Sequence, residues 1–223
     1  MNDAATIAGM ERHILIAGRH SAVLDALVLE ALNLRLPLLV TQESGQDRSA
    51  GPEGLVSTIW NRRSPLSARS VIIRAANVLE TIDEVIVVYQ GHGEFRPFHE
   101  LSSADIETTI DADVKGYLFL LREVLLYLNK QGSGILTLVF QHPLEQLGAP
   151  LEAGAAALFR AIGDELFAAY NNEPIVLRGF ESTIDSPKEF AQFVLTAGEN
   201  RPERTRGKWL KYTGKSGLFS FVR

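Results

Sequence analysis

The run Ile82–Gly116, IDEVIVVYQGHGEFRPFHELSSADIETTIDADVKG, constrains the fold more than any other stretch of the chain. Glu84–Tyr89 is a short, apolar, β-branched block, as expected of one strand buried on both faces. It runs into Gln90-Gly91-His92-Gly93, a turn signal, and then into a polar loop. Ser102 and Asp105 follow at the spacing of a capping box and open a long helix. A buried strand, a loop at its carboxyl end and a helix form one βα unit of an open parallel sheet, in which ligands sit at the strand carboxyl ends.

The same alternation runs through the rest of the chain. Strands are expected at His13–Ala17, Leu36–Thr41, Val56–Trp60, Glu84–Tyr89, Gly134–Phe140, Ile175–Arg178 and Lys208–Tyr212. Helices are expected at Ser21–Leu32, from Ser64-Pro65 to about Leu79, at Ala104–Asn129, at Leu151–Tyr170 and from Ser186. Ser186-Pro187-Lys188-Glu189 combines an N-cap, a first-turn proline and the spacing of a capping box. Strands that alternate with helices imply parallel pairing through right-handed crossovers. The pattern predicts a three-layer, doubly wound α/β fold, with a mainly parallel sheet of six to seven strands between helices. Residues 1–223 read as one domain, with 1–11 as a flexible N-terminus.

Composition removes several classes of function. At 223 residues and 46% hydrophobic, the chain can bury a full core. There is no cysteine, so disulfides, thiolate nucleophiles and cysteine metal sites are excluded. A net charge of −5 argues against nucleic-acid and anionic-membrane partners. The longest apolar block, Tyr117–Leu128, is interrupted by Arg122-Glu123, so no membrane span is expected, and the location reads as cytoplasmic.

Order and spacing over roughly residues 12–185 resemble the short-chain dehydrogenase/reductase family. There a strand ends in Asn-Asn-Ala-Gly and the next helix carries Asn-x-x-Gly. Here these motifs read Val88-Tyr89-Gln90-Gly91 and Asp113-Val114-Lys115-Gly116: the glycines stay and the asparagines do not. The family's Thr-Gly-x-x-x-Gly-x-Gly reads Ala17-Gly18-Arg19-His20-Ser21-Ala22-Val23-Leu24. Only its first glycine remains, and Leu24 puts a branched side chain where helix and strand should touch. Gly18, Arg19 and Gly91 are what is left of the cofactor-binding positions, and Glu43 is the only acid near the end of the second strand. Carrying the catalytic positions across puts the family's tyrosine at Gly148, its lysine at Glu152, its serine at Val139 or Phe140 and its helix asparagine at Asp113. None of the four carries the family's residue, and no Tyr-x-x-x-Lys occurs in the chain. After the sixth strand the family's Pro-Gly reads Glu181-Ser182, and the chain passes almost directly into the Ser186 helix, without a lid.

Other polar residues fall at the strand carboxyl ends: Tyr89, Gln90, His92, Gln141, His142 and Glu145. Tyr89 and His92 are the candidates for relocated acid–base work, and His142 with Glu145 for a metal. No metal site is expected, however, because loop residues of these types more often satisfy nearby backbone groups. The helices 104–129 and 151–170 carry more apolar surface than one sheet can cover, with Phe159 as the guess for an outward residue and Leu121 as the fallback. In the family this pair packs against its counterpart in another subunit. The reading is therefore a catalytically degenerate, Rossmann-like relative: a structural or regulatory subunit of a homo-oligomer, or a partner of an active dehydrogenase, with no cofactor expected. The alternatives are an oxidoreductase using NAD(P) with relocated acid–base residues, and a small-ligand sensor.

Overall fold

The computed structural model describes residues 12–43, 55–91, 97–142, 149–197 and 202–214. Seven strands form one sheet: β1 (Ile14–Gly18), β2 (Leu38–Gln42), β3 (Val56–Ile59), β4 (Glu84–Gln90), β5 (Ile135–Gln141), β6 (Val176–Ser182) and β7 (Trp209–Tyr212). Every pairing is parallel, in the order β3-β2-β1-β4-β5-β6-β7. The expected alternation is thus realised, with the upper end of the expected strand count. The order reverses between β1 and β4, where Gly18 lies level with Val88. That is the topological switch point, where sheets of this kind open a crevice.

Helices cover both faces. On one side α2 (Pro65–Leu79), α4 (Gly116–Gln131) and α5 (Pro150–Ala169) bury a core that includes Leu120, Val124, Leu128 and Phe159. On the other, α1 (Ala22–Asn33) and α6 (Pro187–Thr196) pack Leu24, Leu27, Phe190 and Val194 against β1, β4 and β6. Ser64 caps α2 through its hydroxyl with Pro65 in the first turn, as the sequence implied. Ser186 departs from expectation. It precedes Pro187, but at φ −142° and ψ 68° it is off the extended geometry of an N-cap and makes no side-chain cap bond.

The long helix expected over 104–129 is not continuous. It consists of α3 (Ser103–Thr109), a π-helical turn at Ile110–Lys115, and α4. Ser102 and Asp105 do form the reciprocal capping box that starts α3. In the π turn the Gly116 amide donates to the Asp111 carbonyl, five residues back. The wider turn leaves Asp113 buried, where two arginines meet it. Hydrophobic periodicity carries no mark of such a one-residue insertion.

At the amino ends of the strands lies a charge cluster that strand patterning did not reveal. Glu84 and Arg178 are both fully buried and pair at 2.8 Å. The Arg178 guanidinium also donates to Thr137 Oγ1 and to the Ala197 carbonyl, both at 2.9 Å, so one side chain ties β4, β5 and β6 to the end of α6. Arg12 approaches the second Glu84 oxygen at 3.4 Å. This cluster sits at the opposite end of the sheet from the crevice.

Candidate functional site at the strand carboxyl ends

Gly18 ends β1 in tight surroundings. A Cβ there would stand 2.7 Å from the Val88 carbonyl oxygen and 3.1 Å from Leu24 Cδ1. Strand packing alone therefore requires the glycine. Leu24, fully buried, fills the space between α1 and the strand that the resemblance assigned to a glycine.

Three backbone donors at this turn, the Arg19, Val23 and Leu24 amides, have partners within the chain. Ser21 Oγ accepts from the Leu24 amide at 3.2 Å, and Gln90 Oε1 reaches across from β4 to the Val23 amide at 3.4 Å. The Arg19 amide donates to the Tyr117 hydroxyl at 3.4 Å, and that hydroxyl donates to the Val88 carbonyl at 3.0 Å. A dinucleotide pyrophosphate is held by free N–H groups at a helix start that approaches it closely. With Leu24 in the packing gap and the Val23 and Leu24 donors already bonded, the residues here do not fit that group.

Above the turn lies a compact ionic cluster. Arg62, from the turn after β3, binds Asp113 through one guanidinium nitrogen and Glu43 through another, the latter at 3.1 Å. Arg19 stands 4.0 Å from the other Asp113 oxygen. Glu43, the acid at the end of β2, is thus turned to an arginine of the same chain. Burial lowers the Arg62 pKa, but Tyr117, Asp113 and Glu43 outweigh it and hold the guanidinium above its ordinary value. Arg19 is the reverse: burial dominates, Arg62 adds to it, and its pKa falls below the usual arginine range. Gly116 makes the Arg62 turn possible, since a Cβ there would lie 2.5 Å from the Arg62 carbonyl oxygen. Beside the cluster opens a cleft of about 300 Å³, lined by Arg19, Arg62, Thr109, Asp113, Leu151 and Glu152 among others.

Of the positions carried over from the resemblance, Asp113 and Glu152 line the same cleft and Phe140 does not. Asp113 is the anionic centre of the cluster, and Glu152 lines the cleft from the first turn of α5. Phe140 is buried against Tyr89 and Phe159 and offers no polar group to the cleft. Gly91 lies just past β4. Gly148, His92 and Glu145 lie outside the described residues, as does 1–11.

Tyr89 as an acid–base residue needs correction. It is buried, stacked on Phe159 at 5.0 Å and packed on Tyr117 at 5.3 Å. Desolvation is the largest influence on it, and Tyr117, Asp113 and Glu152 push the same way, so its pKa rises above that of a free phenol. Acid–base work near neutral pH needs the opposite shift. His142 pairs with Glu181 at 3.4 Å, and that carboxylate also accepts from Arg160 at 3.2 Å. Among the described residues no group of three potential ligands could hold a metal. Phe159, the guess for an outward residue, faces the sheet, and Leu121 is buried as well. The outward apolar residues of this helix pair are Leu118, Leu126 and Leu158.

Two residues central to the site were missed from sequence. Arg62 lies in a βα turn at a strand carboxyl end, a location that marks ligand-side residues, yet the letters Asn-Arg-Arg resemble any solvated turn. Tyr117 follows directly on the Asp-Val-Lys-Gly motif, which signals its place on the helix but not its inward direction.

No family model matches the sequence, and no curated protein matches it. The fold, in contrast, is widely shared. A variant short-chain dehydrogenase/reductase from Serratia marcescens is 13% identical with a TM-score of 0.73, the match covering 91% of this chain and 96% of that one. Serine dehydrogenase from Escherichia coli is 16% identical with a TM-score of 0.71, covering 89% and 96%. The 3-ketoacyl-(acyl-carrier-protein) reductase from Brucella melitensis, solved with NADH, is 9% identical with a TM-score of 0.73, covering 91% and 97%. The chain has the short-chain dehydrogenase/reductase fold.

Proposed function

We propose that this chain is a non-catalytic subunit on the short-chain dehydrogenase/reductase fold, assembling through α4 and α5 with the same helices of another chain. The observation that carries the reading is an apolar groove of about 280 Å³ on the outer side of that helix pair, lined by Leu118, Leu121, Leu125, Leu126, Ile162 and Leu166 among others. Leu126 is 52% exposed and Leu118 40%, on helices whose inner faces are already buried. Contiguous apolar surface of this kind marks protein contact. Two further features support the non-catalytic half: the Arg62–Asp113–Glu43 cluster holds the asparagine position in an ion pair, and Tyr89 is buried among aromatic rings. A cytoplasmic setting belongs to the same reading, in keeping with a chain that has no cysteine to oxidise.

Light scattering and sedimentation on the wild type and on Leu126→Glu test this. A wild-type oligomer that the variant converts to monomer supports the reading. A wild type that stays monomeric at tens of micromolar, and captures no subunit with this fold, ends it. A second reading, an oxidoreductase using NAD(P) with relocated acid–base residues, is favoured by one observation: the fold is shared with a reductase solved with NADH. That reading requires the first turn of α1 to rearrange. A micromolar dissociation constant for NADH or NADPH by calorimetry, about −8 kcal/mol, would establish it over the first.

A further inference from the structure

At the switch point, a single hydroxyl connects the ends of the two strands that part there. We propose that Tyr117, with Gln90, is a built-in plug of the switch-point crevice, holding from within the backbone groups that an open crevice would present to a dinucleotide. This rests on the non-catalytic reading and names what closes the site.

Tyr117 comes from the first turn of α4, brought in because Gly116 lets the helix meet the Arg62 backbone. Its ring is held edge-on by Trp60 and by Phe159, each 5.5 Å away, and lies against Tyr89. That packing aims the hydroxyl between β1 and β4, where it accepts from the Arg19 amide and donates to the Val88 carbonyl. Gln90 continues the seal one step along β4, taking the Val23 amide of α1. Burial pushes the Tyr117 phenol up to about 12, so it remains a protonated donor at physiological pH. A ligand that needs the β1–α1 turn must first displace a ring fixed on three sides.

Amide hydrogen exchange with NADH titration tests the plug on the intact protein. Without nucleotide, the Arg19 and Val23 amides should exchange slowly. Tyr117→Phe should speed Arg19 at least about tenfold, and Gln90→Ala should do the same for Val23, while Leu15 and Val87 in the strands change far less. A general loss of packing would instead speed all four. If Tyr117→Phe does not fold, Gln90→Ala, outside the aromatic layer, carries the comparison alone. Fast exchange of Arg19 and Val23 in the wild type overturns the plug and leaves the subunit reading standing. Micromolar NADH binding by the wild type overturns the subunit reading, and a change in those two amides on binding overturns the plug with it.

Discussion

Placing asparagine at position 113 should damage this protein. Asp113 is 8% exposed and faces two guanidiniums, Arg62 in direct contact and Arg19 at 4.0 Å. At an effective dielectric near 20, a pair of unit charges 4 Å apart interacts by about 4 kcal/mol, and the Arg62 contact is closer. Part of that attraction is offset by the cost of burying the carboxylate, which the Asp113→Asn substitution also removes. What decides the sign is the cation left behind. Among the described residues Arg62 would keep Glu43 as its one anionic partner, while Arg19 and Arg62 would face each other across a neutral amide. Breaking a buried pair costs about 3–5 kcal/mol, and the surviving Glu43 contact places this case near the lower end, about 3 kcal/mol. At roughly 2–4 °C per kcal/mol for a chain of this size, the melting temperature should fall by about 6–12 °C. Urea unfolding followed by tryptophan fluorescence suits the measurement, since Trp60 packs on Tyr117 beside the cluster. The double variant Arg62→Met/Asp113→Asn should recover part of the loss. A single variant within about 0.5 kcal/mol of the wild type, or more stable, would refute the electrostatic argument.

Three further outcomes follow from the same contacts. Arg178→Met leaves the buried Glu84 carboxylate with only Arg12 at 3.4 Å and the Thr137 hydroxyl among the described residues, and should cost about 3 kcal/mol by chemical denaturation, with Glu84→Leu/Arg178→Met less harmful than the sum of the single changes. Tyr117 titrates near 12 in the folded protein and near 10 when unfolded, so its contribution is complete below pH 10 and is lost as pH rises toward 12. Melting temperatures recorded across pH 9–12 should fall more steeply for the wild type than for Tyr117→Phe. Leu126→Glu should shift the assembly to monomer while far-ultraviolet circular dichroism stays unchanged, because that side chain is half exposed in the isolated chain.

Strand and helix positions were legible because their causes are local. The β-branched block Glu84–Tyr89 has to be a buried strand, and Ser64-Pro65 has to start a helix; both do. Parallel pairing followed from the alternation of elements, before any side chain was placed, while the strand order that sets the switch point came from the structure. The ionic cluster was not legible, since it assembles Arg19, Glu43, Arg62 and Asp113 from four separate segments. Its key turn depends on a π-helical insertion that no periodicity announces. Phe159 was misdirected for a similar reason: α5 is apolar over so much of its circumference that the letters do not say which side meets the sheet.

The glycines that this chain has in common with the resemblance's motifs, and the positions where those motifs carry asparagine, are under different physical demands. Gly18 and Gly116 stand where any Cβ would meet a backbone oxygen at 2.7 Å or less, so the fold keeps them whatever the site does. The asparagine positions carry no such demand: a polar side chain at a strand end or on a helix can be exchanged if its neighbours are satisfied in another way. Here Asp113 is satisfied by two arginines and Tyr89 lies among aromatic rings, while Gln90, at the alanine position of the same motif, bonds the start of α1. A glycine pattern in this fold is therefore a record of backbone packing. Chemistry has to be argued from the groups at the crevice, and in this chain Arg62, Asp113 and Glu43 point at each other.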